Sequence, residues 1–382
     1  MRFLVPRVIE ACFLFVLLGP IEARGEDDLL AKLHGSDWYG DCLKAWRARE
    51  KATETLRIEW TETRTIKKGA ETGRLPGFEN EVFPSEDQTV TCNYLLTLKR
   101  DKVFFRSLDF DIAKEKDTAI RRIPREFQSA YDGREPRTYF PIRQGAKGIP
   151  QGTIIAGDRF DEYNVTTVFP ALINVRAANE KFLLSEMTRF RPLREPVEVR
   201  GASCRVLEVK GDTWVRRYLV NPAAAFRIER FEDLYLNGKT IYNIDFFYTN
   251  QQMANFSLIG WTTTFFRGHS EFVENTRAVV DRYEVNSSID DAIFTLKFPP
   301  GTYVNDQRSG REFIIRSDGQ ERTVLPRERR YSHDELMNSE TGKVPKTRAR
   351  FSFVSTFAVI LFANGLLAAI SVLLYRRFRG TA

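Results

Sequence analysis

Residues 351–375 read FSFVSTFAVILFANGLLAAISVLLY, twenty-five residues without a charge, followed at once by Arg376, Arg377 and Arg379. At about 1.5 Å per residue, a helix of this length crosses a hydrocarbon core of about 30 Å. A helix buried in a globular domain normally carries a polar stripe, and this run has none. It predicts a transmembrane helix at 351–375 and a cytoplasmic tail at 376–382, which confines the rest of the chain to one side of a membrane. At the other end, Arg2 and Arg7 precede an apolar run at 11–18 that Gly19 and Pro20 break. Eight apolar residues are too few to span a bilayer, so 1–23 reads as a signal peptide. Lys346, Arg348 and Arg350 match in number the arginines behind the anchor, so flanking charge does not set the topology. A cleaved signal does: the expectation is a single-pass cell-membrane protein with an exported, periplasmic or otherwise extracytoplasmic, N-terminal domain.

Between these ends, 24–326 is long enough for one large domain or two small ones, and 327–350 is a charged, polar linker with Gly342 and Pro345. Lys and Arg number 58 against 51 Asp and Glu, and the two signs are interspersed. A nucleic-acid interface needs a basic stripe, so that partner class is set aside. Cys42, Cys92 and Cys204 remain after signal removal; export permits one disulfide, and the sequence leaves the pair open. Three scattered cysteines do not make a zinc site, and no cofactor motif is present.

A helix is predicted over 28–54, where Leu29, Leu30, Leu33, Trp38, Cys42 and Trp46 recur at helical steps. After Thr55 the period changes to two: Leu56, Ile58 and Trp60 alternate with Arg57, Glu59 and Thr61. Further strands are predicted at 89–99, 102–110, 128–131, 137–140, 202–210, 213–220, 225–236, 239–249, 261–267, 277–285, 293–298, 312–316 and 322–325. Asn237-Gly238, Gly211-Asp212 and Asp318-Gly319 supply hairpin turns. The charged run at 109–122 reads as a solvated loop or short helix, and 145–200 as a less regular insertion with a short helix near 170–181. The predicted fold is mainly β (α+β): a long antiparallel meander curled into an open half-barrel with capping helices, plus the C-terminal transmembrane helix.

Four features resemble the LolA/LolB/RseB type of exported lipoprotein-binding protein, an open β half-barrel capped by helices. They are a signal and helix followed by the strand Leu56-Arg-Ile-Glu-Trp60; Tyr131-Asp132-Gly133 running into Thr138-Tyr139-Phe140-Pro141; the strand pair 225–236 and 239–247; and the stretch 291–304, DAIFTLKFPPGTYV, which resembles the family's closing strand. The resemblance implies binding of a lipid, a lipoprotein acyl chain or another apolar ligand at a membrane surface. The predicted anchor departs from soluble carriers of this type and argues against ferrying between membranes.

No metalloprotease pair, nucleophile elbow or phosphate-binding loop occurs, and His34, His269 and His333 stand apart from any nucleophile. Asp158, Asp161 and Glu162 are the best carboxylate cluster, with a solvated loop as the plainer account; His34, Asp37, Asp41 and Cys42 fall on different faces of a helix. Catalytic and metal residues are therefore not assigned. Trp60, Phe104, Tyr139, Phe226, Phe246 and Phe294 are the candidates for lining a ligand cavity, each with core packing as its alternative. The function predicted is apolar-ligand binding by a membrane-anchored, non-enzymatic module. A ligand-free envelope sensor or protein-interaction module, docking on an envelope protein, is the alternative, and an exported hydrolase the weakest.

Overall fold

The computed structural model describes residues 37–68, 86–114, 120–141, 149–157, 165–177, 190–249, 257–267 and 271–339. They divide into two units, Met1–Glu321 and Arg322–Ala382. The segments expected as signal peptide, transmembrane helix and tail (1–23, 351–375 and 376–382) lie outside the described residues, as do His34, Asp158, Asp161 and Glu162. Among the described residues no helix is long and apolar enough to cross a membrane.

The first described element is helix α1, Asp37–Ala52. Tyr39, Cys42, Leu43 and Trp46 recur at three- and four-residue steps, share one face and are buried. Arg49 and Lys51 occupy the last turn, where cations suit the negative end of the helix dipole. A first series of strands comes next: β1 Thr55–Ile66, β2 Gln88–Lys99, β3 Lys102–Lys114, β4 Ile120–Tyr131, β5 Pro136–Phe140 and β6 Gln151–Ile154. After helix α2, Val165–Leu172, come β7 Arg191–Pro192, β8 Val197–Val199, β9 Ala202–Lys210, β10 Trp214–Asn221, β11 Arg227–Tyr235, β12 Thr240–Tyr248, β13 Leu258–Arg267 and β14 Glu271–Val285. The order ends with β15 Tyr303–Asp306, β16 Arg311–Ile315, β17 Glu321–Thr323 and helix α3 His333–Asn338.

From β9 through β14 each strand is antiparallel to the next. Strand β1 then pairs with both β14 and β2, so the start of the meander sits in the middle of the sheet. Antiparallel pairing continues to β6, which β15 joins in parallel, with β16 beyond it. Among the described residues no pairing joins the two ends, so the sheet is open. It is nevertheless strongly curled. Phe105 and Phe127 of β3 and β4 share one buried cluster with Leu207, Val209 and Tyr218 of β9 and β10 and with the apolar face of α1. The cluster runs along the inner face through the intervening strands and takes in the helix, an arrangement consistent with an open half-barrel.

Turn chemistry is where the sequence places it. Gly238 has φ +81°, a conformation open to glycine, between β11 and β12. Two expected stretches take a different form. The described parts of 109–122, residues 109–114 and 120–122, lie in the paired strands β3 and β4 instead of a loop or short helix, with Phe110 opposite Pro124 and Ile112 opposite Arg122. Here the alternation of apolar and charged residues outweighs the charge count. Residues 293–298 do not form a strand. The Asp290 carboxylate accepts the Ala292 N–H at 3.0 Å and caps a 3-10 turn, Asp291–Phe294. The following segment lays Phe294 and Leu296 against Phe104, Ala130 and Tyr139 on the outer face of the sheet.

Within the expected insertion at 145–200, the described parts supply β6 to β8 and α2. Cys42, Cys92 and Cys204 are unbonded and buried on α1, β2 and β9. In the second unit, the described part of the expected linker folds into a 3-10 turn at Pro326–Glu328 and α3, which Ser332 and Glu335 cap reciprocally. Arg322 there donates to Glu328 at 3.0 Å and to the Ser339 carbonyl at 2.7 Å.

Candidate functional site on the inner face

Strand β1 shows how the inner face is built. Leu56, Ile58 and Trp60 project beneath α1 and are buried. Two residues on, with the same parity, come Glu62 and Arg64 and then the buried Ile66, so an ionic pair of positions interrupts the apolar face past the helix. Opposite Leu56, Ile58 and Trp60 lie Leu98, Leu96 and Tyr94; opposite Glu62 lies Cys92. On β3 the corresponding change runs from Val103 and Phe105 to Ser107 and Asp109.

The apolar half is a floor of aromatic rings. Trp60 stacks on Tyr94 with ring centroids 5.1 Å apart, and lies 5.5 Å from Trp261 and 6.4 Å from Phe105. The row continues through Phe127 to Phe140, whose rings are 4.7 Å apart. A second row passes from Phe190 through Tyr218, Phe231 and Tyr242 to Phe265. Beneath the helix the rings are fully buried, with Trp60 at 1 % and Trp261 at 0 % exposure. Toward the ionic half, Tyr94, Tyr242 and Phe265 are only half-buried.

Polar bonds hold α1 on this floor. The Trp46 indole donates to the Phe226 carbonyl at 2.8 Å, and Arg49 donates to the Asn174 and Ala225 carbonyls at 2.8 and 2.6 Å. Asn174, just beyond α2, accepts the Ile228 N–H at 2.7 Å. These bonds fix the positions of both helices relative to β11.

The ionic groups lie among buried neighbours, with Cys92, Ile66 and Val90 2, 2 and 4 % exposed. Arg64 and Glu274 make a two-point ion pair, with one bond at 3.0 Å. The Cys92 thiol donates to Asp109 at 2.8 Å, and burial, with Asp109 beside it, keeps that thiol protonated. Glu62 sits among these groups, opposite Cys92 on β2 and near the Tyr94 hydroxyl. Burial pushes its carboxyl up to about 7, an effect that Tyr94 and Arg64 oppose and that Asp109 and Glu274 reinforce. For Arg64 the cost of burial is outweighed by Glu274, which raises its affinity for its proton. Among the described residues, no cation lies within ion-pair distance of Glu62, and no cluster of His, Cys, Asp and Glu could hold a metal ion. A separate, polar surface pocket of about 320 Å³ lies at the C-terminal end of α1, lined by Glu50, Arg100, Asp101 and Arg176 among others.

The six aromatic residues singled out from sequence divide between the two faces. Trp60 and Phe246 belong to the inner cluster, and Phe226 packs against it. Phe104, Tyr139 and Phe294 form the outer-face cluster, away from α1. Sequence reasoning passed over Glu62, Arg64, Asp109 and Glu274. The signal was present in β1, where the parity that buries Leu56, Ile58 and Trp60 continues into Glu62 and Arg64.

No protein-family model and no curated protein matches the sequence. Among solved structures, the chain is similar to a domain from Vibrio parahaemolyticus assigned to outer membrane lipoprotein sorting, at 12 % identity and a TM-score of 0.37 over 66 % of this chain and 95 % of that one. It is similar to a DUF1329 family protein from Desulfovibrio piger, at 10 % identity and 0.37 over 66 % and 95 %. A LolA superfamily protein from Nitrosomonas europaea matches at 11 % and 0.34 over 67 % and 97 %. Likeness at this level carries no argument about function, and the architecture rests on the chain's own strand order. That order is an open, mainly antiparallel sheet with an amphipathic helix against its inner face.

Proposed function

We propose that this protein is a membrane-anchored, exported binding module that takes a lipid, a lipoprotein acyl chain or another apolar ligand on the inner face of its half-barrel. One observation carries the reading: the aromatic floor does not end under α1 but continues into the half-buried rings of Tyr94, Tyr242 and Phe265. Aromatic surface left partly open on the inside of a curled sheet is what an apolar chain can cover. Burial stabilises such a chain by roughly 0.8 kcal/mol per CH₂, so a few methylenes offset part of the cost of ordering it. The sequence resemblance points the same way. The uncharged run at 351–375, read as an anchor, supports a position at a membrane surface in the cell envelope, where such ligands are concentrated.

A second reading has its own support. Phe247, Ile259 and Val279 on β12 to β14 are 38, 47 and 48 % exposed. Such a patch suits an envelope protein as partner, without a small ligand. Native mass spectrometry of the full chain, released from a mild detergent, separates the two. A bound mass that extracts as a lipid or acyl chain supports ligand binding. An apo mass that also takes up no added lipid refutes it and favours the interaction module.

A further inference from the structure

An apolar ligand held on the inner face must reach it, and one end of the sheet is built for contact with an apolar phase. Strands β9 and β10 turn there at Gly211-Asp212, and β11 and β12 at Asn237-Gly238. Just inside these turns Trp214 stands opposite Tyr235, with the parity of Tyr218 and Phe231, which belong to the inner cluster. At the same end of β12 and β13, Tyr242 lies opposite Phe265 with ring centroids 5.3 Å apart. The second aromatic row of the floor therefore runs out to the rim of the sheet. There it opens: Trp214, Tyr242 and Phe265 are half-buried, Tyr235 is 39 % exposed, and Leu236 at the tip is 49 % exposed.

The chemistry of the rim says what it meets. Trp214 is a fixed platform: its ring lies against Gly211, where any Cβ would collide with it, and the Arg216 guanidinium sits 4.3 Å from its centroid. An indole, a phenol and a leucine presented together form the amphipathic set that settles between lipid head groups and acyl chains. The exposed charges of the two tips are Lys210, Lys239 and Asp212, a positive balance that suits anionic head groups. The uncharged run at 351–375, read as an anchor, follows the described chain after the eleven residues 340–350, which extend to about 40 Å at most, so a bilayer lies within reach. The other exposed apolar residues, Phe247, Ile259 and Val279, belong to the opposite ends of β12 and β13 and to the middle of β14.

We propose that this rim, made by the β9–β10 and β11–β12 tips, docks on the surface of a phospholipid bilayer. Tyr235 and Leu236 enter the head-group layer, and Lys239 lies against anionic lipid. The aromatic row from Phe265 and Tyr242 to Phe231 then adjoins the bilayer, so an apolar chain passes between membrane and floor without crossing water. The docking stands on the rim's own residues, whereas the passage rests on the reading of the inner face as a ligand floor.

The test places an environment-sensitive fluorophore at one position at a time on the full chain, reconstituted into nanodiscs of phosphatidylcholine and phosphatidylglycerol. Cys42, Cys92 and Cys204 are buried, which favours labelling of an introduced thiol. Leu236→Cys reports the rim, and Lys239→Cys reports the same tip if the first variant folds poorly. Arg134→Cys, in the exposed turn at the other end of the sheet, and Val279→Cys are the comparisons. With lipids that carry a doxyl quencher near the head group, the rim label should lose most of its fluorescence while the labels at 134 and 279 keep theirs. Omitting phosphatidylglycerol should weaken the rim's quenching. Equal quenching at all positions, or quenching confined to 134 or 279, overturns the docking. A rim label shielded in native membranes yet unquenched by lipid assigns the rim to a protein partner and overturns it too. An unquenched rim on a chain that still carries lipid in native mass spectrometry refutes the docking alone; a quenched rim on a chain that binds no lipid refutes the passage and the ligand floor and leaves the docking.

Discussion

Glu62 gives the sharpest energetic test of the inner face. Its carboxyl is pushed from 4.5 up to about 7, first by burial, with Asp109 and Glu274 adding to the effect. Holding a carboxyl that far above its ordinary value costs the ionised form about 3 kcal/mol; water reaches part of this side chain, so a working figure is ~2 kcal/mol. The sign is set by proton binding. Between the two values the folded chain holds a proton that the unfolded chain releases, so stability from this group is full below pH 4.5 and is lost as pH rises through about 7. Glu62→Gln removes that loss. The amide keeps the shape and the polarity of the protonated acid, so near pH 4.5 the variant should match the parent within about 0.5 kcal/mol. At pH 8 it should be more stable by about 1–2 kcal/mol. Urea unfolding of the solubilised full chain at both pH values measures the difference, and the contributions of distant carboxylates cancel in it. An advantage that is the same at both pH values, or greater in acid, would refute the account of Glu62 as a carboxylate held near a neutral pKa by its surroundings.

Single contacts elsewhere in the chain give three further expected outcomes. Asn174→Ala leaves the Ile228 N–H without its 2.7 Å partner and should cost about 1–3 kcal/mol in the same unfolding assay, with an unchanged value refuting its role in fixing α2 to β11. A Cβ on Gly260 would stand 2.3 Å from the Ala278 carbonyl oxygen on the neighbouring strand, so Gly260→Ala should force β13 and β14 apart. The expected cost is about 1–3 kcal/mol, with faster amide exchange along that ladder; wild-type exchange would contradict the close approach. In the second unit, Arg322 and Glu328 are 1 and 0 % exposed, and Glu328→Ala should strand a buried guanidinium at about 3–5 kcal/mol, read as a lower melting temperature.

The parts of this fold that depend on local pattern were open to reading, and those that depend on which face meets what were not. The strand Ala202–Lys210 and the turn at Asn237-Gly238 arise from alternation and from glycine's freedom at positive φ. The arms of the β3–β4 hairpin were hidden because Asp109, Asp111, Lys114, Arg121 and Arg122 crowd a stretch whose apolar residues still alternate. At 293–298 the apolar residues resemble a strand, yet Asp290 caps a turn there and the outer face of β3 and β4 takes up Phe294. That choice is tertiary. The aromatic candidates divided for the same reason: Phe104 and Phe105 are adjacent, and only the curl of the sheet decides which of the two meets α1. Glu62 was legible in principle, since its parity with Trp60 fixes its face, but its meaning depends on Cys92, Asp109 and Glu274, which arrive from three other strands.

The position of α1 determines what kind of binding site the half-barrel can offer. Trp46, bonded to the Phe226 carbonyl, and Arg49, bonded to the Asn174 and Ala225 carbonyls, pin the helix to the segment that leads into β11. The middle of the floor is thereby filled by protein: Tyr39, Leu43 and Trp46 occupy, against Trp60, Phe246 and Trp261, the space that an empty half-barrel would offer to a long acyl chain. The rings left partly open are those of Tyr94, Tyr242 and Phe265, so the floor offers an apolar ligand only a short stretch to cover, and each added methylene contributes roughly 0.8 kcal/mol only while such surface remains.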